Sequence, residues 1–225
     1  MSISYNAEQR VFHLQTPRTS YIIQMIKDGV PVHAYWGRKV ETAPWTGMLE
    51  FTERASFSPN PYPEDRTVSF DTLPQEYPAY GASDFRHPAY QAQLAEGSTI
   101  TELVYVSHRI IAGKPALEGL PATYVENDSE AQTLEITLRD DYAGLEAVLS
   151  YTVFASHDAI ARSVKLSNVS GKPIRLLRAL SGSVDFKHDR FELLQLSGAW
   201  ARERDVYRRR LTPGTASVES RRGSS

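Results

Sequence analysis

Leu134, Ile136 and Leu138 alternate with Glu135, Thr137 and Arg139, the period-2 pattern of a strand with one face in a core and the other in water. The same reading predicts strands over 11–14, 20–26, 30–36, 89–94, 100–111, 123–126, 132–139, 144–154, 159–168 and 174–185. Within 20–26, Tyr21, Ile23 and Met25 fall on one side, and within 30–36 so do Val32, Ala34 and Trp36. Turn signals punctuate these runs: Asp28-Gly29, Glu96-Gly97-Ser98, Gly113-Lys114-Pro115, Asn127-Asp128, Asp140-Asp141 and Ser170-Gly171-Lys172-Pro173. Short strands at this cadence predict an all-β fold, a large antiparallel β-sandwich that begins as a meander. No stretch has a helical period, and no repeat of roughly 20–50 residues is present.

Residues 44–88 break the cadence. Seven of the 13 prolines fall there, and each removes a backbone donor and restricts the residue before it, so long regular strands are not expected. The segment also carries Trp45, Phe51, Phe57, Tyr62, Phe70, Tyr77, Tyr80 and Phe85, enough ring surface to anchor it. It reads as a long Pro/aromatic-rich ordered loop within a single domain spanning 1–225.

Composition narrows the function more than the fold. With 41% hydrophobic and 23% charged residues the 225-residue chain can bury a core, and 25 Lys+Arg against 27 Asp+Glu give no field for nucleic acid or an anionic membrane. Cysteine is absent, which excludes thiolate metal sites and cysteine nucleophiles and fits a reducing cytoplasm. The six histidines are scattered singly with no metal-ligand spacing, and no Gly-rich phosphate loop occurs, so neither a metal nor another cofactor is expected. Arg202, Arg204 and Arg208 to Arg210 alternate with Glu203, Asp205 and Tyr207 and read as one charged strand face.

The candidate chemistry lies in 44–88, where Glu53, Arg54, Asp65, Arg66, Asp71, Glu76, Asp84 and Arg86 stand among the rings. Sugar sites use this mixture, because carboxylates and guanidinium groups bond hydroxyls while aromatic faces cover the C–H face of a pyranose. The competing reading, favoured by spacing alone, is a salt-bridge network that ties the loop to the sandwich. Trp200 in Gly198-Ala199-Trp200 carries the same ambiguity between packing and binding.

The run Gln75-Glu76-Tyr77-Pro78-Ala79-Tyr80-Gly81-Ala82-Ser83-Asp84-Phe85-Arg86-His87-Pro88 resembles the N-terminal domain signature of bacterial glycoside hydrolase family 36 α-galactosidases. Phe57-Ser58-Pro59-Asn60-Pro61, Ala34-Tyr35-Trp36-Gly37, Leu120-Pro121-Ala122-Thr123-Tyr124 and Leu180-Ser181-Gly182-Ser183-Val184-Asp185-Phe186 support the resemblance. It implies a supersandwich similar to that of galactose mutarotases. It also implies a homotetrameric parent that hydrolyses terminal α-D-galactosides such as melibiose and raffinose with retention. The two catalytic aspartates would belong to a C-terminal (β/α)₈ barrel, reached through a linker beginning at 213–225, and none of the catalytic residues would lie in this chain. By the same resemblance Glu53, Arg66 and Trp200 would be substrate-binding residues, forming a wall of a neighbouring subunit's sugar site. Close relatives carry aspartate where Glu53 stands. A free-standing galactoside-binding module and a mutarotase-like epimerase are the competing function classes, the latter requiring a glutamate base and a histidine acid converging in one cleft.

Overall fold

The computed structural model describes residues 2–41, 45, 47–58, 60–119 and 122–219. Pro44 at the start of the proline-rich segment, Pro59 of the Phe-Ser-Pro-Asn motif, Leu120-Pro121 and the terminal run 220–225 lie outside the described residues. The chain divides into two compact units, Met1–Asp185 and Phe186–Ser225.

The first unit is all-β and antiparallel. Strands β1 (Ile3–Asn6), β2 (Val11–Gln15), β3 (Thr19–Ile26) and β4 (Val30–Arg38) form a four-stranded sheet in chain order. A short strand, β5 (Tyr90–Gln93), follows the proline-rich segment, and β6 (Val104–Ala112), β7 (Ala131–Asp140), β8 (Leu145–Phe154) and β9 (Ile160–Asn168) make a second four-stranded meander. β10 (Arg175–Ala179) returns to pair with β5. Among the described residues the one helical element is a single 3-10 turn, Asp128–Glu130.

Alternation explains the core. Phe12 and Leu14 of β2 and Tyr21, Ile23 and Met25 of β3 share one buried cluster with Leu134, Ile136 and Leu138 of β7 and Leu145, Ala147, Leu149, Tyr151 and Val153 of β8. Each fully buried side chain of this kind stabilises the fold by about 1.5–3 kcal/mol relative to exposure. The other face of the first sheet is covered too: Ile26, Val30 and Val32 pack with Leu49, Val68, Phe70 and Leu73, while Val11 and Ile22 pack with Trp45. Covering on both faces is why β2 and β3 read as nearly continuous apolar runs.

The structure corrects the strand reading at several places. Val32 and Trp36 do not share a face, because a bulge shifts the register between Ile22↔Tyr35 and Ile23↔His33 and leaves Ala34 unpaired. Val32 joins the back cluster, whereas the half-exposed Trp36 stands edge-on to Tyr21 at 6.0 Å. Residues 123–126 form no strand, the strand expected over 100–111 begins at Val104, and that expected over 174–185 is confined to Arg175–Ala179. β1 was not anticipated: only Ile3 of its four residues is buried, and pairing with β2 holds it, with Tyr5 stacked on Phe12 at 4.5 Å.

The second unit is a hairpin of β11 (Glu192–Ala199) and β12 (Arg202–Arg210), so the Arg/Glu-rich run is indeed a strand while β11 went unpredicted. Its register shifts between Ser197 and Ala199, and the intervening Gly198 is required there because a Cβ would lie 2.4 Å from the Arg202 carbonyl oxygen.

Candidate functional site

Glu53 and Arg66, thirteen residues apart, are brought together as an ion pair whose side chains stay 63% and 42% exposed. The backbone supports the approach, because Arg54 N–H donates to the Arg66 carbonyl at 2.9 Å. Next to it, the Asp65 carboxylate accepts from Thr67 N–H at 3.0 Å and pairs with Lys27 at 2.6 Å. Those bonds, the Lys27 one foremost, hold the Asp65 carboxyl down at about 2. Lys27 sits 5.5 Å over the Tyr62 ring, so this surface already combines carboxylates, cations and an aromatic face.

Trp200 occupies the tip of the β11–β12 hairpin, next to Ala201 at φ 64°, and the residue is 92% exposed. No packing within its own unit accounts for an indole placed there, since a structural tryptophan would be covered.

The strongest electrostatic feature of the first unit is buried. Glu76 is 0% exposed, and its carboxylate accepts from the hydroxyls of Tyr21 and Tyr151 at 2.7 Å each and from Arg162 at 3.0 Å. His33 Nδ1 lies 3.4 Å away without a regular hydrogen bond. Burial alone would raise the Glu76 carboxyl, but His33, Arg162 and the Tyr151 hydroxyl together hold it below its ordinary range. The same burial, with the Glu76 charge beside them, pushes both tyrosine hydroxyls well up. Arg162 lies over the Tyr151 ring at 4.8 Å and also donates to the Ser183 carbonyl at 3.0 Å, with Gly182 so close that a Cβ would sit 2.9 Å from the guanidinium carbon. A histidine and a glutamate therefore do converge, as an epimerase would need, but both carboxylate oxygens are occupied and the group is sealed from solvent. It can hold charge in the core; it cannot meet a substrate.

Arg86 supplies the salt-bridge network that spacing had favoured. Its guanidinium forks onto Asp84 at 3.0 and 2.9 Å, donates to the carbonyls of Phe70 and Leu73 at 2.8 Å, and reaches Asp185 at 3.2 Å. The network encloses a tight turn in which Ala82 and Ser83 both take positive φ, 46° and 74°, closed by reciprocal Gly81 and Asp84 backbone bonds at 2.8 and 2.9 Å.

Sequence reading missed Arg162 as Glu76's partner, although a signal was present: Ile160, Val164 and Leu166 on the same strand face pack against the core, and Arg162 interrupts them. The other histidines are satisfied or surface groups, as with His13 bonded to Ser20 at 2.8 Å and His108 to Tyr105 at 2.6 Å.

The sequence profile of the glycosyl hydrolase family 36 N-terminal domain matches residues 29–225. The chain is 51% identical over 225 residues to α-galactosidase AgaA of Geobacillus stearothermophilus, covering 100% of this chain and 31% of AgaA. It is 36% identical to α-galactosidase Mel36A of Lactobacillus acidophilus, covering 99% and 30%. The crystal structure of AgaB from Geobacillus stearothermophilus superposes with a TM-score of 0.92 at 50% identity over 99% of this chain and 30% of AgaB. A variant of AgaA crystallised in complex with raffinose gives 0.89 at 51% identity over 95% and 30%. The chain thus spans under a third of each of these relatives. Since profile, identity and superposition agree along nearly its whole length, the chain belongs to the glycosyl hydrolase family 36 N-terminal domain family.

Proposed function

We propose that this chain serves as the accessory and oligomerisation domain of an α-galactosidase that hydrolyses terminal α-D-galactosides, of the melibiose and raffinose type, with retention. The observation that carries the reading is 51% identity, along the whole of this chain, to 31% of AgaA, a variant of which is crystallised with raffinose. In this reading the two four-stranded sheets are the layers of a galactose mutarotase-like supersandwich, supported by the core that both contribute. Residues 44–88 are its ordered loop, and 213–225 lead toward the catalytic barrel. The parent is a cytoplasmic homotetramer, and Glu53, Arg66 and Trp200 form part of the wall of a neighbouring subunit's sugar site. Two features support that role: Trp200 is exposed rather than packed, and the Glu53–Arg66 pair presents charge and donors at the surface.

Fusing this chain to the catalytic portion of AgaA tests the proposal. Trp200→Ala and Arg66→Ala should each raise KM for raffinose, through a loss of about 1–3 kcal/mol of binding, while the denaturation midpoint stays put. Unchanged kinetics with lowered midpoints would return both residues to a structural role.

A further inference from the structure

The outward face of β7, β8 and β9 carries a polar row that the proposed function does not use. Register sets Glu135 opposite Ser150 and Ser150 opposite Ser163, one residue from each strand. Over this row lies a cavity of about 280 Å³, walled by Lys114, Pro115 and Leu117 from the stretch after β6. The adjoining row is closed, because the Thr133 hydroxyl bonds the Gly113 carbonyl at 2.7 Å and the Thr152 hydroxyl at 2.8 Å. The hydroxyls of Ser150 and Ser163, by contrast, bond no described residue, and Glu135 engages Arg109 through Oε2.

We infer that this cavity binds one neutral hexose unit, galactosyl if the proposed function holds. The floor offers donors and acceptors on neighbouring strands about 4.8 Å apart, the scale that separates hydroxyls on alternate carbons of a pyranose. Pro115 and Leu117 give the C–H face an apolar wall, and the unbonded hydroxyls of Ser150 and Ser163 are uncharged donors and acceptors, which suits a polar neutral ligand held by hydrogen bonds. The volume lies near the lower bound of small-molecule sites, roughly 300 Å³, enough for a single ring. None of Glu53, Arg66 and Trp200 lines the cavity.

Amide spectra of the isotopically labelled chain, titrated with D-galactose and then melibiose, test the inference. The amides of Lys114, Ser150 and Ser163 should shift together with millimolar saturation. Ser163→Leu, which fills the cavity from a solvent-facing position, should weaken binding at least about tenfold, and Glu135→Gln should weaken it while leaving the spectrum of the core unchanged. Trp200→Ala and Arg66→Ala should bind as the parent does. Absence of saturable shifts up to the solubility limit of the sugar, or shifts that survive both cavity variants, would overturn the inference. Shifts lost instead in Trp200→Ala or Arg66→Ala would assign the binding to the proposed wall and would also overturn it. The wall reading itself stands or falls separately, on KM for raffinose.

Discussion

Arg162 and Glu76 form a buried ion pair in the first unit, so removing one partner leaves the other uncompensated. A buried carboxylate stripped of its guanidinium partner is left with only two hydroxyls and a histidine, so Arg162→Met should destabilise the chain by about 3–5 kcal/mol in urea melts. Adding Glu76→Met in the same chain should recover a large part of that loss, since an apolar pair leaves no orphaned charge. The pH dependence has a definite sign. The folded Glu76 carboxyl lies below its ordinary value of 4.5, so its stabilisation is complete above that value and is lost as pH falls through the folded one. The acid limb of the urea midpoint should therefore flatten in Glu76→Gln relative to the parent. Arg162 was legible as a break in an apolar strand face; that its partner would be Glu76, in a proline-rich segment on the far side of four strands in sequence, was not.

At the scale of elements, turns and bulges decide what period-2 alternation cannot. Gly144, at the end of the β7–β8 turn, has φ 63°, and a Cβ there would lie 2.3 Å from the Ser170 Cβ and 2.6 Å from its Cα. Gly97 also has positive φ, 94°, but nothing surrounds the position its Cβ would take. Gly97→Ala should therefore cost about 1 kcal/mol from backbone strain alone, and Gly144→Ala clearly more, because the neighbouring turn must also move. Equal losses in thermal melts of the two variants would mean that the Ser170 contact is soft. Strands β2, β3, β7 and β8 were readable because each buries an alternating apolar face. β11 was not, since Leu194 and Leu196 remain exposed on a two-stranded ribbon and supply no core signal.

For the whole molecule, the two units predict two levels of protection. The central strands β7 and β8 sit in the buried cluster, while among the described residues β11 and β12 pair only with each other, and a lone hairpin is marginal in water. Amides of 192–210 should exchange far faster than those of 131–154, and comparable protection would show that the second unit is stabilised beyond its own pairing. Function at this scale divides in the same way. Retaining hydrolysis needs two carboxyl groups about 5–5.5 Å apart on either side of a bound glycoside, and the innermost carboxylate here, Glu76, is sealed and fully bonded. The chain by itself should release no more aryl alcohol from an aryl α-galactoside than buffer does; turnover by the homogeneous protein would overturn its assignment as an accessory domain.

The sequence alone determined the class of the fold, since alternation such as Leu134-Glu135-Ile136-Thr137-Leu138 and the Gly/Asn/Asp turns between runs are local properties that favour antiparallel strands wherever the chain goes. Its motifs also determined the family. Tertiary structure decided the rest. The bulge at Ala34 turned Trp36 away from Val32, β10 returned to pair with β5, and Glu76 met Arg162 between the sheets. Each of these outcomes depends on register and closure between segments far apart in the chain, and one residue of slip in a strand reverses every side chain on it.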